Sequence, residues 1–175
     1  TMNAHSLLVT KRFRVEEVTQ SLPGGGTTTR QIVRHPGAVT VIPLVDDSHV
    51  CLIHNYRVAV GERLIELPAG TLESYEPPEQ TAQRELIEET GYEAGRIRKL
   101  HAFYLSPGIL DEQMHLYLAQ DLRLVGAARE PGEDIQNLIV PWPEAVQMVF
   151  RGEIRDAKTI VGLLFYQQLR EGSPP

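Results

Sequence analysis

The sequence predicts an α+β fold in which a β-sheet is covered by helices on its faces. Two observations lead to this fold class. Dense runs of β-branched residues begin at position 37, and three later segments combine helical periodicity with capping residues. A chain of 175 residues can bury one sizeable core but is too short for two. We therefore expect a single globular domain with a small extension.

The first 36 residues predict this extension. Two extended stretches, 12–18 and 27–34, are joined by the turn-forming run Pro-Gly-Gly-Gly at 23–26. They predict an antiparallel β-hairpin over residues 1–36, ahead of a main domain over residues 37–172. An isolated hairpin is marginally stable in water, so we expect it to pack on the main domain or on a second subunit. A homodimer is the expected assembly.

The main domain alternates predicted strands with helices. Strands are predicted where apolar and β-branched residues cluster between turn signals, at 39–45, 50–56, 64–67, 98–105, 114–119 and 138–140. Helices are predicted at 78–90, 143–151 and 156–170. The first helix opens after Pro77 and closes at Gly91, and Asp156 is a good N-cap for the last.

Composition excludes several classes of function. The 17 basic and 23 acidic residues leave a net charge of −6, without the basic stripe that nucleic-acid binding requires. The single cysteine, Cys51, allows no disulfide within the chain. No apolar run approaches membrane-spanning length, and the N-terminus lacks the order of a secretory signal. We expect a soluble cytoplasmic protein with neither nucleic acid nor membrane as a partner.

The most informative segment is the helix that carries Glu85, Glu88 and Glu89. Residues at this spacing share a helix face, where like charges destabilise by about 0.2–0.5 kcal/mol per pair. A solvated charge run more usually alternates in sign, so the cluster points to function. Hard cations such as Mg²⁺ prefer clustered carboxylates, although this cluster taken alone is equally compatible with an acidic surface.

The longer pattern resolves these alternatives. Gly70 is followed after five residues by Glu76 and after seven more by Arg84-Glu85-Leu86, then by Glu88-Glu89 and Gly91. This pattern resembles the Nudix box at every fixed position. The resemblance implies a Nudix fold, an α/β/α sandwich around a mixed β-sheet. It also implies a hydrolase that holds divalent metal, Mg²⁺ or Mn²⁺, against a diphosphate.

The resemblance also assigns roles within the box. It implies that Glu85 and Glu89 are the main metal ligands and that the carbonyl oxygen of Ala69 is a further ligand. Glu88 is either another ligand or a residue beside the ligands. Arg84 is expected to orient the glutamates. In the same motif the resemblance gives structural roles to Glu76, Gly70 and Gly91, with Glu76 supporting the loop through an ion pair.

The sequences flanking the box resemble the ADP-ribose pyrophosphatase branch of the family. The resemblance rests on Asn55-Tyr56-Arg57, on Glu66-Leu67-Pro68-Ala69-Gly70, on Ser106-Pro107-Gly108 and on the closing segment 152–159. Pro107 stands about sixteen residues beyond the box, where that branch has its marker proline. The implied reaction is hydrolysis of ADP-ribose to AMP and ribose 5-phosphate.

The flanks also supply candidate substrate and catalytic residues. Arg57 has the planar fork suited to phosphate oxygens. The resemblance places the glutamate that polarises the attacking water at Glu112, with Glu88 and Glu89 as alternative bases for geometry to decide. The further substrate-binding candidates are Glu66, Pro107, Gly108 and Phe13. Phe13 is the extension's sole candidate for stacking on adenine.

Three alternatives remain open at this stage. The first is a nucleoside diphosphate sugar hydrolase acting on GDP-mannose or a UDP-sugar. The second is a non-catalytic module that uses the same fold to bind a nucleotide, against which the intact glutamate set argues. The third is a structural protein that assembles through its hairpin, which leaves the whole box unexplained.

Overall fold

A computed structural model describes residues 4–127 and 134–172 of the chain. Within them lie ten strands and three helices. The strands are β1 (Ala4–Val9), β2 (Arg14–Ser21), β3 (Thr27–Arg34), β4 (Ala38–Pro43), β5 (His49–Arg57), β6 (Glu62–Glu66), β7 (Ala69–Thr71), β8 (Tyr92–Tyr104), β9 (Gln113–Leu124) and β10 (Ile135–Pro141). The helices are α1 (Pro78–Thr90), α2 (Trp142–Phe150) and α3 (Ala157–Arg170).

The strands form three sheets. The N-terminal strands pair antiparallel in the order β1-β2-β3. The main domain holds a four-stranded sheet in the order β7-β4-β9-β8 and a three-stranded sheet in the order β10-β5-β6. The pair β4 and β9 is parallel, and the other paired strands of both sheets are antiparallel. The predicted α+β fold with a mixed sheet is confirmed.

Strand β4 lies at the centre of the core, because every one of its residues is buried. Successive side chains point to opposite faces of a strand. Val39 and Val41 therefore join one apolar cluster, where they meet Leu86 of α1. Ile42 joins the other cluster, with Leu163 of α3. Each such burial stabilises the fold by about 1.5–3 kcal/mol relative to exposure, so β4 ties the two helical layers together.

Helix α1 begins and ends where the sequence predicts. Pro78 occupies its first turn, where the missing N–H of proline is harmless. Gly91 ends it in the left-handed region at φ 79°, and its N–H donates to the carbonyl of Ile87 at 2.8 Å. A Cβ atom at Gly91 would lie 2.8 Å from the backbone nitrogen of Ala127. Conformation and space therefore both favour glycine at this helix end.

Helix α3 fixes the segment that precedes the predicted box. Asp156 is its N-cap, as predicted, and accepts a hydrogen bond of 3.0 Å from the N–H of Thr159. The hydroxyl of Thr159 accepts a hydrogen bond of 2.8 Å from the backbone N–H of Leu67. The start of α3 is thereby joined to the connection between β6 and β7.

The N-terminal extension differs from the predicted hairpin. Strand β1 adds a third strand, which the sequence analysis did not predict. Every residue of β1 is exposed, so its side chains do not alternate between buried and exposed positions. The predicted extension, 1–36, begins with three residues outside the described part of the chain.

Other differences concern strands at the edge of the apolar core. β7 has only three residues, too few for a recognisable pattern. The first residues of β8 pair with the last residues of β9 in a ribbon that is exposed on one face, where Arg96 pairs with Asp121 and Arg123 with Glu93. Its other face is only partly buried, with Tyr92 and Leu122 packed against the core. Backbone hydrogen bonds define such strands, and periodicity of burial does not reveal them. In the part of the chain described here, no helix is sufficiently long and apolar to cross a membrane.

Candidate active site

A cavity of about 1140 Å³ opens between the N-terminal sheet and α1. Its walls come from the turn between β1 and β2, the end of β3, the end of β5, the segment around β7 and one face of α1. We refer to it as the α1 cavity. Cavities that hold small-molecule ligands are typically about 300–1,000 Å³, so this one can accommodate a nucleotide-sized molecule.

Most of the predicted box residues line the α1 cavity. The predicted site residues in its walls are Phe13, Arg57, Ala69, Gly70, Arg84, Glu85, Glu88 and Glu89. The remaining predicted residues lie outside its lining: Glu66, Glu76, Gly91, Pro107, Gly108 and Glu112. Among the described residues, the cavity thus unites the acidic face of α1, the arginine at the end of β5 and the phenylalanine of the extension.

Two glutamates of α1 lie against the backbone of β7. Glu89 is buried, and its Oε2 atom accepts a hydrogen bond of 2.8 Å from the N–H of Ala69. The carboxylate of Glu85 occupies the space beside Gly70, where an added Cβ atom would lie 1.9 Å from Oε1 of Glu85. A side chain at position 70 would displace that carboxylate. Glycine is required here for close approach.

Arg84 pairs with three glutamates around the acidic face. Its Nη1 atom donates to Oε1 of Glu85 at 2.7 Å and to Oε2 of Glu88 at 2.8 Å. Its Nε and Nη2 atoms donate to the carboxylate of Glu76 at 3.2 and 3.1 Å. These bonds to Arg84 are the main reason why the pKa of Glu76 lies below its ordinary value, against the opposing effect of burial. One guanidinium thus offsets the repulsion on this face.

The residues around Gly70 fit a divalent cation by their chemistry. Carboxylates of Glu85, Glu88 and Glu89, with the backbone carbonyl of Ala69, are oxygen donors of the kind that Mg²⁺ and Mn²⁺ prefer. The glycine at position 70 lets one of these carboxylates reach the β7 backbone. Across residues 4–127 and 134–172, no three acidic, histidine or cysteine side chains converge as a ready ligand set. Glu85 and Glu88 share Arg84 in this arrangement.

A buried carboxylate, Glu66, supports Arg57 behind the cavity wall. Nε and Nη2 of Arg57 donate to the two oxygens of Glu66 at 2.8 and 2.6 Å. Nζ of Lys158 donates to Oε2 of Glu66 at 2.5 Å and lies 3.0 Å from Asp156. Burial acts to raise the pKa of Glu66, but the bonds from Arg57 and the charge of Lys158 outweigh it, so the pKa is lowered. The third guanidinium nitrogen of Arg57, Nη1, makes no hydrogen bond to Glu66.

The loop from residue 105 to residue 112 joins β8 to β9 and carries three predicted residues, Pro107, Gly108 and Glu112. None of the three lines the α1 cavity. The side chain of Glu112 is largely buried, with Oε1 3.7 Å from Nδ1 of His35. Its neighbour Asp111 does line the cavity.

Several cavity residues were missed by the sequence analysis. Arg34, His35 and Asp111 form a polar group at one end of the cavity, and the turn between β1 and β2 adds Lys11 and Arg12. No motif spacing marks them, since Arg34 and Asp111 are separated by 77 positions in the sequence. The one indication in the sequence was that Asp111 is an acidic residue next to the predicted site residue Glu112.

Comparison with known proteins agrees with this geometry. Residues 34–161 match the NUDIX domain model. The chain is 42% identical to an ADP-ribose pyrophosphatase of Bacillus subtilis, an alignment that covers 90% of this chain and 84% of that protein. It is 39% identical to a methanol dehydrogenase activator of Bacillus methanolicus, over 91% of this chain and 86% of the relative.

A third relative and one solved structure are also similar to this chain. A GDP-mannose pyrophosphatase of Shigella flexneri is 36% identical, over 79% of this chain and 81% of the relative. A crystal structure described as an ADP compounds hydrolase has the same fold, with a TM-score of 0.86 at 22% identity, over 98% of this chain and 94% of the other. The domain match, the level of identity and the shared fold together show that the chain belongs to the Nudix hydrolase family.

Proposed function

We propose that the protein hydrolyses the diphosphate linkage of ADP-ribose, giving AMP and ribose 5-phosphate. The observation that carries the proposal is the acidic face of α1 beside Gly70, opening into a cavity that also contains Arg57. The name of the Bacillus subtilis relative, at 42% identity, supports ADP-ribose as the substrate. The structure described as an ADP compounds hydrolase supports the fold alone.

Nudix hydrolases in general depend on a divalent metal, and we propose Mg²⁺ or Mn²⁺ for this chain. Glu85, Glu88, Glu89 and the carbonyl oxygen of Ala69 would hold it. Bound there, a divalent cation would neutralise charge developing on the diphosphate and would make a nearby water more acidic. Arg84 keeps the carboxylates oriented through the ion pairs that it forms with Glu85 and Glu88.

Substrate contact is assigned first to Arg57. Its remaining nitrogen, Nη1, can donate to a phosphate oxygen while Glu66 holds the other side of the guanidinium. In this proposal Glu66 acts through Arg57, because both of its oxygens already accept hydrogen bonds from Arg57 and Lys158. Phe13 supplies an aromatic surface at the extension end of the cavity, suited to stacking on the adenine.

The general base is proposed to be Glu112, with Pro107 and Gly108 shaping the loop that carries it. In this structure Glu112 lies outside the lining of the α1 cavity, and the role requires it to reach the attacking water within about 2.6–3.2 Å. Glu89 is the weaker candidate, because its Oε2 atom already accepts the N–H of Ala69. Glu88 is the other alternative, and it already pairs with Arg84.

A nucleotide sugar such as GDP-mannose is the second candidate substrate. The 36% identity to a GDP-mannose pyrophosphatase favours it. The reaction and the metal ligands would be the same, and the difference would lie in the residues that contact the base and sugar.

A substrate panel tests the proposal. Nucleoside monophosphate release is measured from ADP-ribose, GDP-mannose, UDP-glucose and dinucleotides, with Mg²⁺ and Mn²⁺ in turn. We expect the highest kcat/KM with ADP-ribose, and a loss of about 10²-fold or more in Glu89→Gln without loss of folding. A preference for GDP-mannose would change the proposed substrate and leave the proposed reaction unchanged. No release from any compound would contradict hydrolysis and favour nucleotide binding.

The proposal also covers assembly and location. The edge strand β1 exposes half of the side chain of Leu7 and of Leu8, and a second copy of the chain would cover this apolar edge. We therefore propose a homodimer. The net charge of −6 disfavours nucleic acid as a partner. Cys51 is buried as a free thiol, which suits a reducing compartment and supports a cytoplasmic location.

A further inference from the structure

The loop that carries Glu112 is attached to the N-terminal extension by backbone hydrogen bonds. The N–H of Val33, on β3, donates to the carbonyl of Ile109 at 2.7 Å. The N–H of Asp111 donates to the carbonyl of Val33 at 3.1 Å. Leu110 thereby forms a parallel bridge with Val33, so that the loop continues the sheet of the extension.

The side chain of Asp111 adds two further contacts. Its Oδ1 atom accepts the backbone N–H of His35 at 2.8 Å, and its Oδ2 atom accepts Nη1 of Arg34 at 3.0 Å. Burial acts to raise the pKa of Asp111, but the bonds from His35 and Arg34 outweigh it and hold the pKa below its ordinary value. Asp111 is therefore ionised at neutral pH, with both oxygens engaged by the extension.

Glu112, the next residue, lies between the base of the loop and His35. Its backbone carbonyl accepts the N–H of Leu105, which closes the base of the loop. Its carboxylate lies 3.7 Å from the ring of His35, and that ring in turn accepts the N–H of Gly37. His35 thus contacts two successive loop residues, Asp111 through its backbone and Glu112 through its side chain.

We propose that Asp111 is a positioning residue, which holds the Glu112 loop on the extension through Arg34 and the backbone of His35. The inference rests on the proposed role of Glu112 as general base. Side chains of Arg34 and Asp111 are each more than a third exposed, and exposed ion pairs contribute little to stability. The consequence of the pair is therefore expected in catalysis, where a displacement of about 1 Å can cost about 10²-fold in rate.

The test compares Asp111→Asn with Asp121→Asn in the full-length protein. Both substitutions keep the side-chain size and remove the charge from an aspartate paired with arginine, but Asp121 pairs with Arg96 away from the cavity. Asparagine also suits the positive φ of Asp121, 56°. We expect Asp111→Asn to lower kcat about tenfold to hundredfold. KM and the half-saturating metal concentration should change less than twofold, and Asp121→Asn should match the wild type in all three.

A double variant separates positioning from a merely structural role. If Asp111 acts through Glu112, Asp111→Asn in the background of Glu112→Gln should cost no further activity. Arg34→Lys, with Arg96→Lys as its control, repeats the test from the other side of the pair and covers the case in which Asp111→Asn fails to fold.

Each outcome separates the inference from the proposed function. The inference would be overturned if the rate reductions of Asp111→Asn and Glu112→Gln multiply in the double variant, or if Asp111→Asn has a normal kcat. The proposed hydrolysis would stand in both cases. A normal rate in Glu112→Gln would also overturn it, and would return the base role to α1. A wild-type protein without activity on any compound of the panel would overturn the proposed function as well.

Discussion

The carboxylate of Glu85 lies in the space that a Cβ atom of residue 70 would occupy. Only glycine at this position lets the Glu85 carboxylate lie against the backbone of β7, because the added atom would stand 1.9 Å from Oε1. Two parts of the Nudix box fifteen positions apart are thus fitted to each other by the absence of one side chain.

Gly70→Ala should therefore abolish most activity with little effect on folding. The added methyl group meets the mobile end of a side chain, so the fold can adapt by moving the Glu85 carboxylate away from β7. We expect kcat to fall about 10²-fold or more, with the free energy of unfolding changed by about 1 kcal/mol or less. Steady-state rates and urea unfolding measure the two effects. Gly24→Ala, in open space at the turn between β2 and β3, is the control, and equal rates for both variants would contradict the fit.

Lys158→Met should destabilise the fold and weaken substrate binding together. The side chain of Lys158 is buried against Glu66, and removing one partner of a buried ion pair costs about 3–5 kcal/mol. Glu66 then retains Arg57 as its remaining arginine or lysine partner and neutralises more of its positive charge. Arg57 should then attract phosphate oxygens less strongly, so we also expect a higher KM for the diphosphate substrate. Urea unfolding and steady-state kinetics test both effects. The exposed Lys99→Met should shift the unfolding free energy by less than about 0.5 kcal/mol, and a similar small shift in Lys158→Met would refute the prediction.

Glu66 should make the protein less stable in acid. Its pKa is lower in the folded state than the ordinary value of 4.5, so the folded protein binds fewer protons than the unfolded chain in this range. The stability from Glu66 is present above about pH 4.5 and is lost as the pH falls through the folded-state pKa. Glu66→Gln should be less stable than the wild type at pH 7, with the difference shrinking toward pH 3. Urea unfolding at several pH values measures it, with Glu171→Gln as an exposed control. A difference that stays constant with pH would rule out this linkage.

Leu8→Glu should convert the proposed dimer to a monomer. Strand β1 presents Leu8 half exposed at the edge of the N-terminal sheet, and a charge there opposes pairing with a second copy. Light scattering after gel filtration should show the mass falling from twice the chain mass to 19.6 kDa. Leu124→Glu, an exposed leucine at the end of β9, should keep the wild-type mass. A wild-type protein that is already monomeric would contradict the proposal directly.

The sequence by itself determined the family, the fold class and the acidic face of α1. Positions within one helix and its flanking loops are close in space because they are close in sequence, so the pattern from Gly70 to Gly91 predicted α1, its C-cap and the shared face of Glu85 and Glu89. Buried strands such as β4 were equally predictable, because burial on both faces requires a continuous apolar run. Strand β1 and the outer half of the β8–β9 ribbon were not, since β1 is exposed throughout and the ribbon is only partly buried on one face, which leaves a weak apolar pattern.

The tertiary structure alone decided which distant groups meet. No spacing rule connects Arg34 with Asp111, or Glu66 with Lys158, because these pairs depend on where β3 ends and where α3 begins against the sheets. The structure also separates Glu66 from the cavity while bringing Arg57 to it, although the sequence analysis gave both residues the same role. The reason is physical: a carboxylate at zero exposure is stable only with its oxygens fully engaged, so it supports the neighbouring arginine at the cavity wall.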